Sequence, residues 1–254
     1  MGVNATHGDR QAMSEPELLL GKVTRREFRE RMDSGSLQAC ILPVAAIEQH
    51  AEHLAMEHDW RSAALVATEV ARRLRPRVLV AEGVMAGVSE HHMIHAGTLT
   101  LRPGTFLAVL DDLIRSVVKA GFKNVLVLNG HGGNIAPIQG AWDQFLREFR
   151  VNLHFLSYWD VLTKADAEAV LDGGARLPED LPGHAQEFET SIALAEFPEN
   201  VRAEELAAQP DSTAPMATAE KGRELLSRIV DRAAGYLEEI MDGRRPAELP
   251  PYHQ

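Results

Sequence analysis

The run Glu48-Gln49-His50-Ala51-Glu52-His53-Leu54-Ala55-Met56-Glu57-His58-Asp59 is built for chemistry: seven of its twelve residues are acidic or histidine. Carboxylate oxygens mixed with imidazole nitrogens suit zinc, manganese or iron better than calcium, which prefers an all-oxygen cage. The Glu48-x-His50 spacing puts both side chains on one side of an extended segment. Asp59 sits just before a helix expected to begin near Ser62 and can reach back to the same point. Its two oxygens allow it to bridge two cations. Glu52, His53, Glu57 and His58 are expected to face solvent, and the whole run also reads as a polar surface loop.

A second cluster is Asn129-Gly130-His131-Gly132-Gly133-Asn134. Glycines in a strand-to-helix turn cost backbone entropy, so they usually serve close approach or unusual dihedrals. His131 is then held at the mouth of a sheet as a metal ligand. Anion binding and a purely structural turn are the alternatives. The stretch lacks the lysine and hydroxyl pair of a P-loop, the G-x-G-x-x-G order and the serine of a nucleophile elbow. A third cluster is Gly183-His184-Ala185-Gln186-Glu187-Phe188-Glu189-Thr190-Ser191. There one carboxylate can complete a metal shell while another orients a histidine. A loop followed by a helix capped at Thr190 or Ser191 is the plainer reading.

The elements that must position these groups follow from the apolar pattern. Ala39 to Val44, Arg77 to Ala81, Val125 to Leu128 and Leu153 to Tyr158 read as short strands. Helical spacing covers Leu20 to Met32, Ala63 to Leu74, Thr105 to Gly121, Ile135 to Phe149, Leu162 to Val170 and Lys221 to Met241. Continuous apolar strands alternating with helices predict an α/β fold with a mostly parallel sheet covered on both faces. All three clusters then follow strands, where the loops of such sheets converge on ligands. Residues 1–20 read as a polar lead and 244–254 as a Pro-rich tail.

Composition narrows the function classes. With 26 Lys and Arg against 37 Asp and Glu, the formal net charge of -11 argues against a nucleic-acid backbone as partner. The basic run Arg72 to Arg77 reads as a solvated helix end. One cysteine, Cys40, lies in an apolar strand and cannot form an internal disulfide. No stretch has the roughly 18 apolar residues a membrane span needs, and Met1 to Ser14 lacks the apolar core of a signal peptide. A cytoplasmic location is the default expectation.

In these clusters the chain resembles the creatininase family of metal hydrolases. The matching segments are Leu42-Pro43-Val44 with Glu48-x-His50 and Asp59, then Asn129 to Asn134, then His184-Ala185-x-Glu187-x-Glu189-Thr190-Ser191. The resemblance runs from about Lys22 to Met241. It implies a single three-layer α/β/α sandwich over residues 21–243, assembled as a homo-oligomer and possibly a hexamer. It also implies two divalent ions, Zn, Mn or Fe, held by Glu48, His50, Asp59 and His131, with Asp59 bridging.

Two positions depart from the family pattern. The relative that hydrolyses creatinine has a glutamate two residues beyond the turn histidine, where this chain has Gly133. Glu187 is the expected replacement ligand, with Glu189 second in line and otherwise catalytic beside His184. Gln186 stands where many relatives have glycine and is expected to line the pocket. The segment Ser89 to Thr98 matches a family loop, so His91 or His95 is expected to contact the substrate.

The expected activity is hydrolysis of a small, polar, cyclic amide or related C–N bond by metal-activated water, with His184 passing the proton. The family also contains a branch that opens a ring C–C bond in an oxidised inositol. A metal-stabilised binding protein is the non-enzymatic alternative.

Overall fold

A computed structural model of the protein describes residues 15–172, 181–209 and 213–249. Four strands form a parallel sheet: β1 (Ala39–Val44), β2 (Val78–Val80), β3 (Asn124–Asn129) and β4 (Asn152–Ser157), in the order β2-β1-β3-β4. β1 is buried at every position, as its unbroken apolar run requires of a central strand. Register pairs Val44 with Asn129 and Asn129 with Ser157, so the last residues of β1, β3 and β4 end level.

The helices are α1 (Arg25–Asp33), α2 (His58–Arg73), α3 (Pro103–Lys119), α4 (Ile135–Phe149), α5 (Lys164–Val170), α6 (Glu187–Glu196), α7 (Ala203–Ala207) and α8 (Ala219–Met241). Alternate strand residues feed two cores. Ile41, Leu126 and Leu128 pack with α2, α6 and α8 through Val66, Val70, Ile192 and Ile229. Leu42, Val125 and Val127 pack with α3 and α4 through Phe106, Leu110, Ile138 and Phe145. The result is the expected three-layer α/β/α sandwich. From β1 the chain first steps to β2, then returns past β1 to β3, so the winding reverses between β1 and β3. In doubly wound sheets that reversal opens a crevice at the strand C-termini.

Several boundaries differ from the expectation. The first helix does not run from Leu20. Thr24 and Glu27 form a reciprocal capping box that starts α1 at Arg25, after a separate 3-10 turn at Leu20–Lys22. α2 begins at His58, so Asp59 lies inside its first turn. Residues 1–14 of the expected lead lie outside the described residues, but its last part belongs to the sheet: Val80 N donates to Leu18 O at 2.8 Å. The tail likewise returns to the domain, with Ala247 N donating to Asn152 Oδ1 at 2.6 Å beside β4. Residues 250–254 lie outside the described residues. No helix among the described residues is long and apolar enough to cross a membrane.

Candidate metal centre

The loop after β1 carries Glu48 and His50 into the crevice, α2 supplies Asp59 from its N-terminal turn, and the turn after β3 supplies His131. All four are almost fully buried. A Cβ at Gly130 would stand 2.9 Å from Asp59 O and 2.8 Å from the Ala63 Cβ, so glycine there lets the β3 turn close onto α2. Gly133 performs the same service on the other side. A side chain there would collide with the Val88 carbonyl and the His131 ring.

Two backbone carbonyls fix how the histidines present themselves. His50 Nδ1 lies 3.1 Å from the Glu48 carbonyl, and His131 Nε2 lies 3.0 Å from the Val88 carbonyl. A carbonyl only accepts, so these nitrogens carry the hydrogens. In the neutral rings the lone pairs then sit on His50 Nε2 and His131 Nδ1. His50 Nε2 stands 3.0 Å from Asp59 Oδ1, and His131 Nδ1 stands 2.9 Å from Asp59 Oδ2. The His50 lone pair thus faces one oxygen of the Asp59 carboxylate, and His131 Nδ1 lies beside the other. Glu48 Oε1 is 3.4 Å from His131 Nδ1, and Glu189 Oε2 is 3.8 Å from His50 Nε2.

Lone pairs facing carboxylate oxygens are repulsive unless something positive stands between them. Protons are one solution. Burial disfavours a charged His50, but Asp59 and Glu189 outweigh it and raise its pKa to about 10. His131 is raised in the same way, burial being overcome by Asp59 and Glu48. Burial pushes Glu189 up to about 8 and also raises Glu48. Asp59 moves down, because His50 and His131 offset its burial. Cations are the other solution. Glu48 Oε2 and Asp59 Oδ2 are buried without a hydrogen-bond partner, a costly state that a cation would relieve. Glu48, His50 and Asp59 offer ligand atoms within 4.8 Å of one another, as do His50, His184 and Glu189. Mixed N and O donors with backbone-oriented histidines fit a transition-metal site.

Glu187 does not face this centre. It is fully buried and pairs with Lys221 Nζ at 2.5 Å, while also accepting from Asp172 N at 3.0 Å. The reason is the start of α6 at Glu187 itself: residues two apart on a helix point to different sides, and only Glu189 is turned inward. Glu189 is held by a 2.6 Å hydrogen bond from Ala185 N, whose residue adopts a left-handed φ of 52°. Gln186 is likewise displaced from its expected place: its Oε1 accepts from Thr213 N and Oγ1 at 2.8 and 3.0 Å. Thr190 and Ser191 are buried inside α6 and do not begin it.

A cavity of about 280 Å³ opens over the centre, lined by Glu48, Asp59, His91, His131, His184 and Glu189 among others. His91 stacks on His131 with ring centres 5.8 Å apart, whereas His95 is exposed and is not among the residues lining the cavity. His92 lines it too. Neither His92 nor Gln49 stood out in the sequence, because their approach depends on the 3-10 turn Glu90–His92 and on a side-chain network. His53 and His58, expected on the surface, are buried behind the centre. Burial and the nearby His50 lower the pKa of His58 to about 3.

The family model described as creatinine amidohydrolase matches residues 21–218. The chain is 29% identical over 211 residues to the creatinine amidohydrolase of Pseudomonas putida, covering 78% of this chain and 79% of that one. It is 30% identical over 184 residues to the mycofactocin precursor peptide peptidase of Mycobacterium ulcerans, covering 70% and 65%. It is 29% identical over 213 residues to the 3-dehydro-scyllo-inosose hydrolase of Thermotoga maritima, covering 82% and 66%. Among solved structures, a manganese creatininase superposes with a TM-score of 0.78 at 26% identity, covering 88% of this chain and 98% of that one. A zinc–zinc form of a creatininase variant gives 0.77 at 26%, covering 89% and 98%. The chain belongs to the creatininase family of hydrolases.

Proposed function

We propose that this protein is a dinuclear metal-dependent hydrolase that opens a C–N bond in a small, polar cyclic amide other than creatinine. The observation that carries the reading is Asp59: one of its oxygens faces the His50 lone pair at 3.0 Å, and the other, without a hydrogen-bond partner, lies 2.9 Å from His131 Nδ1. Glu48, Asp59 and His131 would hold one ion, and His50, Asp59 and Glu189 the other, with Zn, Mn or Fe fitting the donors. Bound there, divalent cations would polarise a carbonyl and lower the pKa of water, making a nucleophile available near neutral pH.

The chain's own residues define the rest. The cavity accommodates a small molecule, and its polar walls would be costly to desolvate against an apolar one. His91 borders it as a substrate contact. His184 stands beside Glu48, where it can hydrogen-bond to the departing group. The exclusion of creatinine rests on Gly133: no carboxylate can extend from that position, and the backbone around it leaves no room for one. A homo-oligomer, up to a hexamer, belongs to the same reading, and light scattering at micromolar concentration tests it.

The comparable identity to an inosose hydrolase supports a second reading, cleavage of a ring C–C bond in a keto-inositol. Parallel turnover assays on creatinine, a cyclic imide, a formamide, a keto-inositol and a short peptide separate the possibilities. They are run on metal-stripped and reconstituted protein. Cyclic-imide opening that needs metal is the expected result. Full activity without metal would overturn the mechanism, and efficient creatinine opening would overturn the exclusion.

A further inference from the structure

Gln49 lies between the two residues expected to bind metal, and its side chain points to neither. Its Oε1 accepts from Ala51 N at 3.0 Å. Since a backbone N–H only donates, the orientation of the amide is settled: oxygen toward Ala51, nitrogen away. Nε2 then lies 2.9 Å from His92 Nδ1 and 2.8 Å from His184 Nε2. An amide nitrogen has two hydrogens and no lone pair to offer, so both ring nitrogens must accept.

The hydrogens of the two neutral rings are therefore placed on their other nitrogens, His92 Nε2 and His184 Nδ1. These stand 3.6 and 3.5 Å from the same oxygen of Glu48. The rings themselves are stacked, with centres 4.5 Å apart and planes inclined by 23°. Both line the cavity.

We propose that Gln49 is a positioning residue that sets the tautomers of His92 and His184 together, turning both N–H donors to the Glu48 side of the cavity, where a carbonyl or carboxylate oxygen of the substrate would share them with Glu48. The identity of that oxygen rests on the hydrolase reading above; the tautomers do not. Preset N–H donors beside a reacting centre stabilise developing negative charge without reorganising when it appears. The rival arrangement is a further cation held by Glu48, His92 and His184, whose ligand atoms lie within 4.8 Å of one another. It would require lone pairs on the nitrogens facing Glu48 and hydrogens on those facing Gln49. The amide would have to turn over, leaving Ala51 N opposite an NH₂ group.

The test is nitrogen-15 NMR of the zinc-loaded and metal-free full-length chain, labelled at histidine. His92→Asn and His184→Asn provide the assignments. The wild type is expected to show a protonated Nε2 on His92 and a protonated Nδ1 on His184, each with a lone pair on its other nitrogen. Gln49→Glu offers only acceptors and is expected to reverse both tautomers in the metal-free chain. If that variant does not fold, Gln49→Leu serves instead, and both rings should lose their single-tautomer signature. Reversed tautomers in the wild type, a zinc-shifted resonance on either ring, or unaltered tautomers in the folded variants would overturn the proposal. Failure to take up zinc would sink the hydrolase reading alone, since the metal-free spectrum still reports the tautomers.

Discussion

His131 Nδ1 approaches Asp59 Oδ2 at 2.9 Å without hydrogen-bond geometry, although both residues are almost fully buried. The contact is unfavourable for a neutral ring and favourable with a cation beside it. Asp59→Asn removes the negative charge shared by both proposed ions. Metal content is expected to fall for both, and turnover by roughly 10²-fold or more, since a cation contributes several kcal/mol to charge stabilisation. Elemental analysis of the purified variant checks this; two ions retained per chain would refute the bridging role.

Glu187 and Glu189 give a direct contrast. Glu189→Gln is expected to lower metal content with little loss of stability. Glu187→Gln should retain the metal but strip Lys221 of a buried charge partner. A hydrogen bond to a charged group is worth about 1.5–3 kcal/mol, which in a chain of this size lowers Tm by several degrees. Thermal melts and metal analysis of both variants decide it, and metal loss in Glu187→Gln would contradict the geometry.

Gly133→Ala should be more damaging than its single added methyl suggests. The new Cβ would press on the Val88 carbonyl, which holds His131. Overpacking costs about 1–3 kcal/mol, and disturbing the group that orients a ligand weakens metal binding about 10–100-fold. Gly133→Glu should fare no better and should not confer creatinine opening. Zinc titration and a creatinine assay check both variants.

Metal uptake should release protons. In the metal-free protein His50 is raised to about 10 and Glu189 to about 8, so near pH 7 both hold protons that a cation must displace. Affinity is therefore expected to rise with pH through this range. Zinc titrations by calorimetry in buffers of different ionisation enthalpy should show at least one proton released per chain. Uptake with no proton release would show that the apo centre is not held together by protons.

Much of this centre could be read from the sequence because its parts follow strongly marked strands. The apolar runs before Glu48 and Asn129 fix β1 and β3, and their adjacency brings Glu48, His50 and His131 together. Residues at helix starts were harder to place. The polar stretch before Ile192 reads as a loop, and in a loop Glu187 and Glu189 are equivalent. Beginning α6 five residues earlier separates them by side. His92 and Gln49 were hidden for another reason: each matters through contacts with residues far away in sequence, which no local pattern encodes. His58 reads as a surface residue because its neighbours are polar, whereas α2 turns it inward.

The reversal of winding between β1 and β3 also bears on how the protein folds. Glu48 and Glu189 are separated by more than half of the chain, yet they meet across one crevice. No isolated fragment carries every proposed ligand, so the proposed ions could be captured only after the sheet has assembled and α6 has docked. Metal capture would then lock a contact of very long range, of the kind that forms slowly because chain entropy must first be lost. A chelator would thereby loosen the last-formed part of the molecule first, with α6 as the region whose amides should begin to exchange.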